Sequence, residues 1–296
     1  MPQPLPAGLE SVGCALCGGD RTRPFARRDG LQVVRCVGCG LVYVNPRFDA
    51  DAVLRHYNSG QSSRIQYYLD VEAADRWSFA ELLDVAERLR PARGQVLDIG
   101  PNIGTGLALA RERGWQTRGI EINEEAARHC REQRGLEVRS GTLAEDTYPP
   151  DSFDLVLMAD VIEHLRDPLG MLGIVAHVLK PGGFVMISTP NIASWAGRLL
   201  QVKPEEHLYY FTPATMTGML EKAGLEVLDQ QALDRYHNLT AMVYSTTCGS
   251  LFQVLAPVLR LAHRLLGDVI VKLPLRENLL AVARKPDSRA RTAGAP

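Results

Sequence analysis

Apolar positions recur along this chain with two different periods. From Val71 to Arg90 they fall at Val71, Ala74, Phe79, Leu82, Leu83, Ala86 and Leu89, near the 3.6-residue repeat of an amphipathic helix. Beyond "RPARG" the pattern changes to short apolar runs separated by helical stretches. Strands are predicted over 95–99, 116–120, 136–140, 153–158, 183–188 and 225–231, and helices over 104–113, 123–133, 167–179 and 213–222. Strand and helix in alternation predict an α/β fold, a mostly parallel sheet with helices on both faces. Ligands of such sheets sit at the carboxyl ends of the strands.

The stretch "VLDIGPNIGTG", residues 96–106, is a buried strand running into a glycine turn at such a place. A loop that cradles a dinucleotide pyrophosphate needs Gly-x-Gly-x-x-Gly. Counting from Gly100 gives Gly100, Asn102 and Thr105, so two of the three glycines are missing. Asp98, at the end of the strand, would also face a pyrophosphate with the wrong sign. A cofactor carrying an ammonium and a sulfonium suits this carboxylate better.

Asp98, Gly100, Asn102 and Gly104 resemble the first motif of the class I S-adenosylmethionine-dependent methyltransferases, Asp-x-Gly-x-Gly-x-Gly, with Asn102 at the middle glycine. Asparagine is the residue after glycine that best tolerates a left-handed backbone. The likeness continues through "RGIEINEEA", "SGTLAED", "SFDLVLMADVIEHLRDP" and "VLKPGGFVMISTPN", in the family's order, over about residues 60–285. It implies a Rossmann-like seven-stranded fold and S-adenosyl-L-methionine as cofactor. It also implies that Glu121 accepts the ribose hydroxyls, that Thr142 and Leu143 lie beside the adenine, and that Ala159 faces the cofactor.

Near the front, "CALCGG" and "CVGCGL" repeat a Cys-x-x-Cys-Gly knuckle. Cys14, Cys17, Cys36 and Cys39 form a ligand set with the spacing of a closed structural zinc site. "LQVVRC" between the knuckles alternates like a short strand, and about fifty residues with few large apolar side chains need such a staple. Arg21, Arg23, Arg27, Arg28 and Arg35 gather on this module, either as a solvated surface or as a basic patch.

Methyl transfer is a direct displacement, so the protein mainly positions the acceptor, and a base serves only where the acceptor must lose a proton. His207, in "KPEEHLYYFTP", is a candidate general base or substrate anchor, and His164 is a second candidate. Asp160, Glu163 and His164 have i, i+3, i+4 spacing. They resemble the Glu-x-x-Glu-His metal site of the ubiquinone-biosynthesis O-methyltransferases, with Asp160 in place of the first glutamate, so a divalent ion there is an alternative to a bracing role.

Charge changes the picture little: 33 basic against 34 acidic residues leave a net −1, with no basic excess to announce a nucleic acid. "MPQPLPAGLE" lacks the features of a secretory signal, which points to the cytoplasm. The sequence therefore divides into a zinc ribbon (1–48), a linker and helical lid (49–90) and a cofactor-binding domain (91–245 and 276–286). A helical insertion (246–275) and a disordered tail (287–296) complete the expectation. In the insertion Leu251, Val254, Val258, Leu261, Leu265 and Val269 form an apolar stripe. It serves as a cap, as a homodimer surface, or as a peripheral membrane contact through 251–272. The leading expectation is a methyltransferase acting on oxygen, carbon or nitrogen of a small molecule, sugar or lipid-linked precursor. An rRNA methyltransferase with a zinc module and a non-catalytic scaffold are the alternatives.

Overall fold

A computed structural model describes residues 8–50, 65–239, 257–258, 261 and 263–287. At the front, β1 (Leu9–Glu10), β2 (Thr22–Arg28), β3 (Leu31–Cys36), β4 (Val42–Val44) and β5 (Arg47–Phe48) make two small antiparallel sheets. Asp29 and Gly30 link β2 to β3 with φ of 53° and 78°, the left-handed pair that a two-residue hairpin turn needs. The helix read from Val71 onward begins earlier, as α1 (Ile65–Leu89).

There follow β6 (Gln95–Ile99), α2 (Thr105–Glu112), β7 (Gln116–Glu121), α3 (Glu124–Arg134), β8 (Val138–Ser140), β9 (Phe153–Ala159) and α4 (Pro168–Val178). The chain continues as β10 (Leu179–Pro190), α5 (Trp195–Leu200), β11 (Tyr209–Tyr210), α6 (Pro213–Lys222), β12 (Glu226–Asn238) and β13 (Ile270–Arg284). Local chemistry starts the helices where they start. Asn123, Asp167 and Thr212 each accept a backbone N–H of the first turn, and Pro168 and Pro213 occupy the first positions of α4 and α6.

Seven strands form one sheet in the order β12-β13-β10-β9-β6-β7-β8. β13 is antiparallel to both of its neighbours, and the β10-β9-β6-β7-β8 pairs are all parallel. Having reached β8 at one edge, the chain crosses back to lay β9 on the other side of β6. A crevice therefore opens between the carboxyl ends of β6 and β9, where this class of sheet binds ligands. Strand alternation sorts the core into two layers. Val96, Leu155, Leu157 and Met186 pack with Leu82, Leu83 and Ala86 of α1. Leu97, Val156, Met158 and Ile187 pack on the other face with Leu172 of α4 and Met216 of α6.

Three features differ from the expected organisation. The front module is not a separate unit, because Cys14, Cys36, Leu41 and Tyr43 belong to the same core as α4 and α6. Its sheet, ordered β11-β4-β3-β2, takes its edge strand from Tyr209–Tyr210, far along the chain. The helix expected as a lid is a wall of the fold, with Leu83 and Ala86 fully buried and Leu89 left exposed. Finally, β13 begins at Ile270, inside the stretch expected to be helical. It pairs with an extended β12, Asn238 facing Ile270 and Arg235 facing Leu273, so that the ladder outcompetes helix over "IVKL". Val258, Leu261, Leu265 and Val269 are exposed, whereas Leu251, Val254 and residues 288–296 lie outside the described residues. No helix among the described residues is long and apolar enough to cross a membrane.

One buried carboxylate ties the layers at the amino-terminal side of the sheet. Asp154, 2% exposed, accepts from the amide of Gln95 at 2.8 Å and from Lys180 Nζ at 2.7 Å, and Arg90 Nη2 lies 2.6 Å away. Asp154→Ala is expected to lower stability by about 1.5–3 kcal/mol, the range for hydrogen bonds to a charged group. A urea midpoint shift worth less than about 0.5 kcal/mol would show that neighbouring packing carries this junction instead.

Candidate functional site

The turn after β6 is built from three left-handed residues: Gly100 (φ 75°), Asn102 (φ 53°) and Gly104 (φ 83°). Two of them also lack room. A Cβ at Gly100 would stand 2.7 Å from Val161 Cγ2, and one at Gly104 would stand 2.6 Å from Leu136 Cδ1. Asn102 has room and keeps its side chain. Its amide donates to Glu121 Oε2 at 2.9 Å, and its carbonyl accepts from Cys130 Sγ at 3.1 Å.

Glu121, at the end of β7, also accepts from the Asn123 amide through Oε1 at 2.8 Å. The two bonds use about half of its lone-pair sites and leave the others for a vicinal diol. Asp98 is 1% exposed, and its Oδ2 finds no partner among the described residues. Burial, and then the charge of Glu121, push its pKa up to about 7. Such a carboxylate is poised for a cationic group. Together the turn, Asp98 and Glu121 fit a cofactor with an amino group and a ribose, and not a pyrophosphate. Ala159 ends β9 half-buried; Leu143 is buried in the core, while Thr142 is exposed.

Across the crevice from the turn, the segment after β9 departs from the expected geometry. Residues Ile162–His164 form a single 3-10 turn. Asp160, left-handed at φ 53°, is turned away to Arg235 Nη2 at 2.5 Å and Asn278 Nδ2 at 3.1 Å. The helical triad of Asp160, Glu163 and His164 therefore does not form. His207 lies beside His164 instead, their ring centroids 4.9 Å apart. A donor atom from each of Glu163, His164 and His207 lies within 4.8 Å of the others.

Glu163 is 1% exposed and accepts from Thr189 Oγ1 at 2.9 Å. Burial, reinforced by the charge of Asp160, raises its pKa to about 8. Burial, with His164 alongside, lowers that of His207 to about 3, a poor value for a proton acceptor near neutral pH. Arg235, Asn278 and Thr189, which set this arrangement, carry no motif; only their partners from distant strands give them a role.

The four cysteines gather as their spacing suggested. Cys14 and Cys39 have sulfurs 3.4 Å apart, Cys17 and Cys36 3.5 Å, and all four lie within 4.8 Å of one another. Tetrahedral zinc at about 2.3 Å from each sulfur would set them roughly 3.8 Å apart, so the donor set fits that ion. Gly18 and Gly40, each following a second cysteine, have φ of 75° and 81°. The module's arginines do not converge on the crevice. Arg21, Arg23 and Arg27 are exposed, Arg28 donates to the carbonyl of Val202, and Arg35 stacks over Phe25.

Sheet order, glycine turn and acidic strand ends define a Rossmann-like domain for an adenosyl cofactor. Residues 72–230, more than half of the chain, match the family described as methyltransferase domain, and the chain belongs to the class I S-adenosylmethionine-dependent methyltransferases. A Mycolicibacterium smegmatis protein, described as a probable S-adenosylmethionine-dependent methyltransferase, is 34% identical over 142 residues, 47% of this chain and 55% of that protein. The ubiquinone biosynthesis O-methyltransferase of Aeromonas salmonicida is 31% identical over 157 residues, 47% of this chain and 66% of the relative. The matches thus span just over half to about two thirds of these curated relatives. The crystal structure of a SAM dependent methyltransferase from Archaeoglobus fulgidus shares the fold, with TM-score 0.52 and 22% identity over 74% of this chain and 99% of the other.

Asp98 yields a prediction about protons. Its folded pKa, near 7, lies above the unfolded value of about 3.9, so the cofactor-free fold holds an extra proton between these values and loses stability as pH rises through them. A cofactor ammonium beside Asp98 reverses the preference and expels that proton. Binding of S-adenosylhomocysteine near pH 6 is therefore expected to release close to one proton, measured by calorimetry in buffers of different ionisation enthalpy. The release should vanish in Asp98→Asn; equal release by both proteins would place the ammonium elsewhere.

Proposed function

We propose that the protein transfers the methyl group of S-adenosyl-L-methionine to an oxygen of a small-molecule acceptor, and that its four cysteines hold a structural zinc ion. The observation that carries the reading is the left-handed turn joined to Glu121 over a buried Asp98, at the switch point of the sheet. Similarity to ubiquinone biosynthesis O-methyltransferases supports oxygen as the acceptor atom. The near-neutral charge of the chain and the scattered arginines of the front module support a small acceptor over a nucleic acid.

When bound, S-adenosyl-L-methionine supplies a methyl group activated on a sulfonium, which leaves as a neutral thioether. The chain's own contribution is placement. Gly100 and Gly104 let the backbone come close, Asp98 offers a negative charge to the ammonium, and Glu121 orients the ribose. Ala159, small and half-buried at the end of β9, is the residue that the family resemblance sets against the cofactor. Holding the acceptor oxygen in line in this way is worth roughly 7–11 kcal/mol in favourable models.

Radiolabelled methyl from S-adenosyl-L-methionine is expected to enter the water-soluble small-molecule or lipid fraction of a host extract. Glu121→Ala should raise the cofactor KM about 10- to 100-fold, the equivalent of losing hydrogen bonds to a charged acceptor. Label confined to RNA would overturn the small-molecule reading.

Zinc has a separate readout. Because β4 pairs with β11 through Tyr43–Tyr209 and Val42–Tyr210, and the Val44 amide donates to the Leu208 carbonyl, the metal site is mechanically joined to the loop that carries His207. Chelation, or Cys39→Ser, is expected to speed amide exchange at Tyr209 and Tyr210 together with β4. Unchanged exchange there would show that the core alone holds the loop.

A further inference from the structure

A hydroxyl that is methylated must give up its proton, and the two histidines of the crevice are ill suited to take it. Burial lowers the pKa of both His164 and His207, which weakens each ring as a proton acceptor. Carboxylates are the other candidates, and most of those around the crevice are already committed. Asp160 is held by Arg235 and Asn278, Glu277 Oε1 lies 3.1 Å from His237 Nε2, and Glu72 Oε1 lies 2.7 Å from Arg134 Nη2. Glu163, with a pKa of about 8, is protonated at neutral pH and has no place for a second proton. Asp75 is different: it makes no hydrogen bond or ion pair among the described residues.

Two walls bring Asp75 to the acceptor side. The last pair between β10 and β13 is Pro190–Asn278, yet β12 and β13 stay paired from Arg235–Leu273 to Asn238–Ile270, so this ribbon overhangs the carboxyl end of the sheet. There Arg235 and Asn278 hold Asp160, the residue that follows Ala159 of β9. The other wall is α1. Its Glu72 Oε1 lies 3.4 Å from Thr105 Oγ1, and a Cβ at Gly106 would stand 2.7 Å from Phe79 Cδ1. Both contacts fall on the first turn of α2, directly after Gly104 of the cofactor turn. Asp75, three residues after Glu72 and four before Phe79, shares their helix face. It therefore stands between the cofactor turn and the Asp160–Arg235 pair. Arg235, Asp160 and His237 face it from other elements, and Glu72 from its own.

We propose that Asp75 is the general base of the reaction, taking the proton of the acceptor hydroxyl as its oxygen is methylated. The inference rests on the methyltransferase reading and adds to it the residue that handles the proton. An Asp75 oxygen forms the new O–H bond while the acceptor oxygen bonds to the methyl carbon and the carbon–sulfur pair leaves with the sulfur. The sulfonium charge and the carboxylate charge cancel, and every product is neutral. Asp75 is half-buried, so it returns the proton to water afterwards. Burial is also what strengthens it as a base, pushing its pKa up to about 6, with Arg235 and His237 opposing the rise and Asp160 and Glu72 adding to it. Such a group is ionised at neutral pH yet close enough to it to accept a proton readily.

The test follows radiolabelled methyl transfer by the full chain into the small-molecule and lipid fractions of a host extract, at saturating S-adenosyl-L-methionine and across the pH range in which carboxyl groups and phenols titrate. The wild-type rate is expected to rise through about pH 6 and then level off. Asp75→Asn should lower the rate at neutral pH at least about 100-fold, and what remains should keep rising with pH as the acceptor ionises in solution. Asp75→Glu keeps a carboxylate and should restore the plateau with part of the rate. Calorimetric affinity for S-adenosylhomocysteine should stay within about twofold in both variants, which separates a base from a residue that only props up the cofactor turn. Asp75→Asn transferring within about threefold of the wild type, or keeping the wild-type pH profile, overturns the proposal and leaves the methyltransferase reading standing. Loss of S-adenosylhomocysteine binding in both variants overturns it as well, by making Asp75 a structural support. No transfer by the wild type into any fraction removes the methyltransferase reading and the base with it.

Discussion

A single carboxylate holds the cofactor side of this fold together. Glu121 reaches from the end of β7 to the Asn102 amide, and so fixes a turn in which Gly100, Asn102 and Gly104 are all left-handed. Each such residue other than glycine costs about 1–2 kcal/mol, and the turn persists because the surroundings over-determine it. Cys130 braces it from α3, and Val161 and Leu136 press against its two glycines. The acidic group expected to serve the ribose is therefore also the group that shapes the backbone around the cofactor.

Asp98 and Glu163 mark the two halves of the crevice by the same physics. Each is a carboxyl group taken almost wholly out of water with one oxygen unpaired, and each has its pKa raised toward or above neutrality, chiefly by that burial. Such groups are stable neutral, or paired with a cation, and not as bare anions. On one side the complement is an ammonium of the cofactor. On the other the neighbours are two imidazoles, and the charge of Asp160 reinforces the shift as that of Glu121 does for Asp98.

The front module supports this site from a distance. Its cysteine cluster shares a core with α4 and α6, and its sheet is completed by the strand that follows His207. A buried Arg47 adds to the seam by donating to the carbonyl of Arg166 and the hydroxyl of Tyr209. Nothing in the composition of residues 1–48 announced this union. Strand pairing between segments more than 160 residues apart depends on which edges meet, and an edge such as "YYF" carries no label for its partner.

The repeating part of the architecture was legible because it is local. Apolar periodicity marked β6, β7, β9 and β10 and the helices between them. The glycine turn announced its left-handed backbone, and two Cys-x-x-Cys knuckles announced a ligand set, because steric and coordination rules act over a few residues. Where those rules gave way to long-range pairing, the reading changed. A helical insertion yielded residues 270–275 to β13, because β12 offered an open ladder, and a lid became a wall, because Leu82, Leu83 and Ala86 met the sheet. Asp160 looked like a ligand until Arg235 and Asn278 claimed it, and His207 joined Glu163 and His164 across more than forty residues of chain. The sequence by itself determined the fold class, the cofactor turn and the cysteine set, each written within a short window. The tertiary structure decided which carboxylates stand bare and which histidines face them, because burial and charge pairing are properties of the packed chain.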